Sequence, residues 1–268
     1  MSGCANVPQP RSGGLDRRAV ELLEQSAVAH GVAALQQTHD VNVRFEGTWS
    51  RLVARVQPGL VDKRFRGTSE ERFLLQDVAV GQAYVGPGGR KQVYRDGNTL
   101  RVWYNDTESH DKDVLDAAAL VADNYRMFLL GPYFFQERSA IVQYLGEARV
   151  DGFKCDNLLA VLRPGLGNSD EDRVVISIDR ERRLVRRLRI TIDGLESTRG
   201  AVADVYLRDH IAVGGYVWPT NFYERLKRPF PASVHRWRLT GLDLDRELTP
   251  AAIAGPTFAP PATRPAGG

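Results

Sequence analysis

The side chains able to do chemistry are scattered along this chain rather than gathered. Five histidines stand at 30, 39, 110, 210 and 235, and no two have the H-x-x-x-H or H-E-x-x-H spacing that sets a zinc site on one helical face. No G-x-S-x-G is present to lift a serine nucleophile onto a strand-to-helix turn. Gly86-Pro87-Gly88-Gly89 has glycines but lacks the Lys-Ser/Thr of a phosphate-cradling loop, and reads as a hairpin turn. Asp106, Glu108, His110, Asp111 and Asp113 crowd one stretch. Without the glycine and terminal Glu of a calcium loop, they read as a solvated entry into a helix. Asp151, Asp156, Asp170, Glu171 and Asp172 read as loop acids. Arg182, Arg183, Arg186, Arg187 and Arg189 form a basic patch across a hairpin, best explained as a solvated sheet face. No nucleophile, base and orienting group fall together. The sequence therefore points away from an enzyme, and neither a cofactor nor a metal is expected.

The two cysteines are more telling. Cys4 follows Met1-Ser2-Gly3 and precedes Ala5, a run that resembles the end of a bacterial lipoprotein signal. Small residues there admit the signal peptidase, and the cysteine sulfur carries the diacylglycerol. Met1 stands where that pattern has Leu, and no charged or apolar signal region precedes it. Residues 6–15, with two Pro and two Gly, read as a flexible tether between a lipid and a folded body. Ala5 in place of an Asp after the cysteine implies, by the same resemblance, the outer membrane. Cys155, between Phe153 and Leu158, reads as a small buried hydrophobe.

Composition sets the frame for these residues. The chain has 268 residues, 43% hydrophobic and 26% charged, which is enough apolar side chain for a sizeable core. A net charge of +3 is too balanced for a dedicated nucleic-acid binder. Of the 36 basic residues 31 are Arg, spread through every strand-like segment, which reads as a coding bias. No apolar run reaches the ~18–20 residues that span a bilayer.

The positioning elements follow from periodicity. Asp16 is placed to cap an amphipathic helix reaching about Thr38, with Ala19, Leu22, Leu23, Ala27, Val28 and Leu35 on one side. From Val41 the period becomes two and strands follow, including one expected through Leu52, Ala54 and Val56. Asp96-Gly97 marks a hairpin. Asp113 is expected to cap a second, mostly apolar helix from Val114 to about Leu130, stopped by Gly131-Pro132. More strands follow: Val174–Ile178 turning through Asp179–Arg183 into Leu184–Ile192, a hairpin at Gly214-Gly215, and a last strand near Val234–Leu242. Residues 1–15 are thus the tether, 16–248 a single domain, and 249–268 a Pro/Ala/Gly-rich disordered tail.

One stretch carries a family resemblance. Tyr144-Leu145-Gly146-Glu147, Val150-Asp151-Gly152, Cys155, Leu162-Arg163-Pro164, Val174–Asp179 and Leu184-Val185-Arg186 together resemble the C-terminal sheet of the LolA/LolB-like periplasmic lipoprotein-sorting superfamily. The phrase covers 144–188, and the long 165–171 loop and Pro-rich tail depart from the family's pattern. The resemblance implies a mainly β (α+β) fold: a curved antiparallel sheet, an unclosed half barrel, with helices covering the concave face. It also implies a non-enzymatic envelope lipoprotein that holds a hydrophobic ligand, lipid or acyl chain, and meets the membrane through a lipid on Cys4. Val43, Phe45, Trp49, Leu100, Val102, Tyr104, Ile176, Ile190, Tyr216 and Trp218 fall on apolar sides of strands and are expected to line the cavity, with Leu120 on the helix above. The alternatives are an accessory or sensor lipoprotein gripping a protein partner through the same sheet, and an envelope enzyme whose residues converge only in three dimensions.

Overall fold

Apolar and polar residues alternate through most of the chain, and the outcome is antiparallel sheet. A computed structural model describes residues 6–13, 16–97 and 99–263, so Cys4 lies outside the described residues. The strands are β1 (Asp40–Trp49), β2 (Thr68–Leu74), β3 (Ala79–Gly86), β4 (Gly89–Arg95), β5 (Leu100–Tyr104), β6 (Thr107–Ser109), β7 (Ser139–Val150), β8 (Phe153–Leu162), β9 (Asp172–Asp179), β10 (Val185–Thr191), β11 (Val202–Val213), β12 (Tyr216–Arg228) and β13 (Ala232–Leu244). The helices are α1 (Arg17–His30), α2 (Val32–Leu35), α3 (Arg51–Val56), α4 (Pro58–Val61), α5 (Lys112–Leu130) and α6 (Pro132–Arg138). The sheet does not close, since β6 and β7 each pair on one side only. The mainly β, unclosed antiparallel fold is the expected one. No helix is long and apolar enough to cross a membrane, among the described residues.

The chain forms two compact units, 1–35 with 127–234 and 36–126 with 235–268. In the first, the strand order is β12-β11-β10-β9-β8-β7. Asp16 caps α1 through Oδ1, accepting from the Ala19 amide at 3.2 Å, while its Oδ2 accepts from the Tyr144 amide on the edge strand β7 at 2.9 Å. The helix stops at Gly31, not near Thr38. Gly31 has φ 81°, and a Cβ there would stand 2.0 Å from the Gly215 carbonyl oxygen, so only glycine fits. His30, the last residue of α1, is buried and ties the helix to two strands. The Val185 amide donates to its Nε2 at 3.1 Å, so its Nδ1–H donates to the Val217 carbonyl at 2.9 Å. Burial, then the nearby His210 and Arg186 charges against the Val217 bond, hold its pKa down at about 3, so the ring is neutral.

The opposite face of this sheet is closed by the chain's beginning. Val7 is buried with Leu159, Val161, Val175 and Val202. Arg173 donates to the Val7 and Pro8 carbonyls at 3.0 Å each, and Gln143 exchanges two hydrogen bonds with the Arg11 backbone at 2.9 and 2.8 Å. Residues 6–11, expected within a free tether, are a strap.

The second unit has the strand order β6-β5-β4-β3-β2-β1-β13. Asp111, not Asp113, starts α5: its carboxylate accepts from the Asp113 and Val114 amides at 2.9 and 3.3 Å. Ala118 of α5 packs with Tyr84, Val93 and Val102 on one face of the sheet, and a bidentate Arg95–Asp123 pair at 2.8 Å fixes the helix there. The strand expected through Leu52–Val56 is α3. Only Val53 is buried, while Leu52 and Val56 stay exposed, so the alternation there carried no buried face. The other face is closed by residues 249–263, expected as disordered. Ile253 is fully buried with Leu74, Ala79, Tyr94 and Trp103. Arg72 and Arg246 donate to the Pro260 carbonyl, and Gln92 to that of Gly255.

Candidate functional site

Most of the residues expected to line one apolar cavity are buried. Val102, Ile176 and Trp218 are 0% exposed, and Val43, Phe45, Leu120, Ile190 and Tyr216 are buried with them in their respective units. Three of the aromatics have polar tasks that strand alternation does not reveal. Tyr216 donates to the Leu130 carbonyl at 2.6 Å, Trp218 Nε1 to the Val213 carbonyl at 2.9 Å, and Tyr104 to Asp62 at 2.7 Å. Leu100 and Tyr104 pack from the side against the Tyr84–Val93–Val102 cluster. Phe45 and Trp49 of the expected set line one cavity together, in the second unit.

That cavity is small and polar. It measures about 20 Å³ and is lined by Phe45, Trp49, Arg66, Tyr84, Tyr125, His235 and Trp237, with Gly67, Thr68 and Ser69 at its side. It has room for one water-sized group, against roughly 300–1,000 Å³ for an ordinary ligand pocket. Register builds it. Phe45, Ser69 and Tyr84 are opposite one another across β1, β2 and β3, and Trp49 faces His235 across β1 and β13. Trp49 and His235 stack at 3.9 Å with an interplanar angle of 9°, and Trp237 continues the stack at 4.5 Å. Arg66 donates to the Tyr125 hydroxyl at 3.1 Å, which lies 3.3 Å from His235 Nδ1. Burial, then the Arg66 charge, holds His235 well below the ordinary histidine range, so it is neutral. The ring's tautomer sets which of the Tyr125 hydroxyl and His235 Nδ1 donates to the other.

Next to the cavity the same sheet face buries Glu71, Gln82 and Lys91. Lys91 is answered by Asp62 at 2.7 Å. Glu71 accepts from Ser69 at 2.8 Å but its Oε2 has no partner, and burial raises its pKa to about 7 against the hydrogen bonds and arginines that oppose the shift. Alternation does carry a signal for this region: Glu71, Gln82 and Lys91 have the same strand parity as Val43, Phe45, Val93 and Val102. Charged and amide side chains on an otherwise apolar face mark a polar interior. The basic hairpin patch, by contrast, is internally paired. Arg186 meets Asp179 at 2.7 Å and Arg189 meets Asp204 at 2.6 Å, so these arginines are partly buried clasps rather than a solvated face. No group of three or more His, Cys, Asp or Glu side chains among the described residues could hold a metal ion.

No family model matches the chain, and no curated protein matches its sequence. Solved structures do match. One is an outer membrane lipoprotein-sorting protein domain, so described, from Vibrio parahaemolyticus, with 7% identity over 88% of this chain and 96% of that one, at a TM-score of 0.52. This chain is similar to that domain in fold. A DUF1329 family protein from Desulfovibrio piger is similar too, with 12% identity over 88% of this chain and 97% of that one, at a TM-score of 0.50. At these identities the likeness concerns the fold alone, and the cavity described above rests on this chain's own residues.

Proposed function

We propose that this protein is a non-enzymatic envelope lipoprotein, anchored at the outer membrane through Cys4, that binds a lipid or acyl chain. The observation that carries this reading is the fold: an unclosed antiparallel sheet with helices against it, similar to a domain described as lipoprotein-sorting. The Ser2-Gly3-Cys4-Ala5 run adds the anchor. The test is native mass spectrometry of protein released gently from membranes. A lipid-sized adduct is expected, and labelled palmitate should enter the wild type and not Cys4→Ser. Equal labelling of both, with no adduct, would remove this reading.

A second reading has an observation of its own. Residues expected to line the cavity are buried, Trp218 and Ile176 fully. A sheet that needs no lipid to complete its core favours an accessory or sensor lipoprotein that grips a protein partner. Cross-linking in the envelope that captures one defined protein, together with an absence of lipid adduct, would decide for it.

A further inference from the structure

In the second unit Arg66 stands beside the cavity without a direct ion pair among the described residues, although Glu71 and Asp62 lie near enough to favour its charge. Arg66 donates to neutral acceptors only, the Leu60 carbonyl at 3.0 Å and the Tyr125 hydroxyl at 3.1 Å. Its guanidinium carbon stands 4.9, 5.0 and 5.6 Å from the ring centroids of Trp49, Tyr84 and Tyr125. No carboxylate comes within 4.0 Å of it among the described residues. The carboxylates nearby have other partners: Asp62 holds Lys91 and Tyr104, Glu46 holds Arg238, and Glu71 accepts from Ser69. A guanidinium has five donors in a fixed fork, so donors remain after two such bonds.

Beside it stands a second unanswered donor. The Tyr84 side chain is 2% exposed, and its hydroxyl has no hydrogen-bond partner. Burying a hydroxyl without a partner is unfavourable. Both side chains line the cavity of about 20 Å³, whose edge at Arg66, Gly67 and Thr68 reaches solvent. A cation and an O–H donor that converge on room for one oxygen atom match an oxygen carrying negative charge. A cationic ligand would be repelled by Arg66, and a purely apolar one would strand both donors.

We infer that Arg66 and Tyr84 form a binding site for one oxyanionic group, a carboxylate or phosphate, brought by an amphiphile or free in solution. The amphiphile source rests on the carrier reading above, and the free source does not.

Calorimetric titration of the full chain, with tryptophan fluorescence as a second readout because Trp49 lies over Arg66, tests the site. The probes are inorganic phosphate, acetate, decanoate and decanol, the last two matched in chain length. An anionic probe should bind, Arg66→Gln should weaken it roughly tenfold or more, and decanol should be unaffected by that change. Tyr84→Phe removes a hydroxyl that makes no internal bond, so it should fold normally and still weaken the same probe several-fold. Decanoate binding without phosphate or acetate binding assigns the source to an amphiphile. Arg66-dependent binding of a free anion, with neither ten-carbon probe bound, supports the site and counts against the carrier reading. Decanoate and decanol binding equally, both indifferent to Arg66→Gln and Tyr84→Phe, would overturn the site while leaving the carrier reading standing. Failure of every anionic probe to bind would overturn it as well.

Discussion

Each unit is closed on one sheet face by helix and on the other by an end of the chain, yet the two use buried polar groups differently. In the first, His30 has both ring nitrogens bonded, and Asp179 and Asp204 each hold an arginine. These groups stitch helix to strand and strand to strand. In the second, Glu71 Oε2 and the Tyr84 hydroxyl lie unpartnered on neighbouring strands, next to a half-buried and unpaired Arg66. A polar group fully satisfied inside a core specifies structure, whereas one left unsatisfied weakens it unless something else fills the role. Unpartnered atoms occur in both units, at Ser26 and His210 in the first, and the contrast is that in the second they gather beside Arg66 and a cavity.

The largest effect should come from truncating aromatics on either side of that divide. Trp218 is 0% exposed and its indole bonds to the Val213 carbonyl, so Trp218→Ala should cost about 3–5 kcal/mol. Trp49 is half-buried at the cavity, where fewer atoms lose contacts, and Trp49→Ala should cost less than about 2 kcal/mol. Urea unfolding measures both. Equal costs would erase the contrast between a filled core and an open site.

Next in size is the C-terminal strap. Ile253 is fully buried against Leu74, Ala79, Tyr94 and Trp103, so Ile253→Ala should destabilise by about 2–4 kcal/mol. Hydrogen exchange should show the loss in β2–β5. A loss confined to residues 249–263 would mean that the strap is a passenger.

The two units should also answer pH with opposite sign at these groups. Glu71 has its pKa raised from 4.5 to about 7. Its contribution to stability is complete below about 4.5 and is lost as pH rises through about 7. His30 is lowered from 6.5 to about 3, so its contribution is complete above 6.5 and is lost as pH falls toward about 3. His235 adds the same acid sensitivity to the second unit. Stability measured from pH 5 to pH 8 should therefore decline less in Glu71→Gln than in the wild type. An identical slope in both proteins would show that Glu71 is not the titrating group.

Much of the fold was legible in the sequence because turns and alternation are local. Asp96-Gly97 and Gly214-Gly215 sit between the strands they were expected to join. What alternation cannot report is the material covering a face. It placed Val102, Ile176 and Trp218 on apolar sides that the structure buries, and could not say what covers them. The same blindness hid both straps, since Val7 and Ile253 stand in Pro-rich segments with no period of their own, and each acts by plugging one gap. Leu52 to Val56 failed for a different reason: six residues are too few for period two to be told from a short amphipathic helix. The cavity was half legible, through Phe45 and Trp49, while Arg66 comes from a loop that only the register of β2 brings to Tyr84.

The smallest expected effect belongs to the N-terminal strap and tests whether the two chain ends are equivalent. Val7 offers one β-branched side chain to Leu159, Val161, Val175 and Val202, and the other attachments include hydrogen bonds from Arg173, Gln143, Arg11 and Arg228. Val7→Ala removes two methyl groups, about 1–2 kcal/mol of burial at most. Those groups lie at an end, where local release precedes global unfolding. The melting temperature should therefore stay nearly constant while trypsin cleavage after Arg11 becomes faster. Ile253→Ala, in the other unit, should lower the melting temperature itself. A fall in melting temperature for Val7→Ala as large as that for Ile253→Ala would show that both ends are integral to their sheets. Unchanged cleavage at Arg11 would show that the hydrogen bonds alone hold the strap.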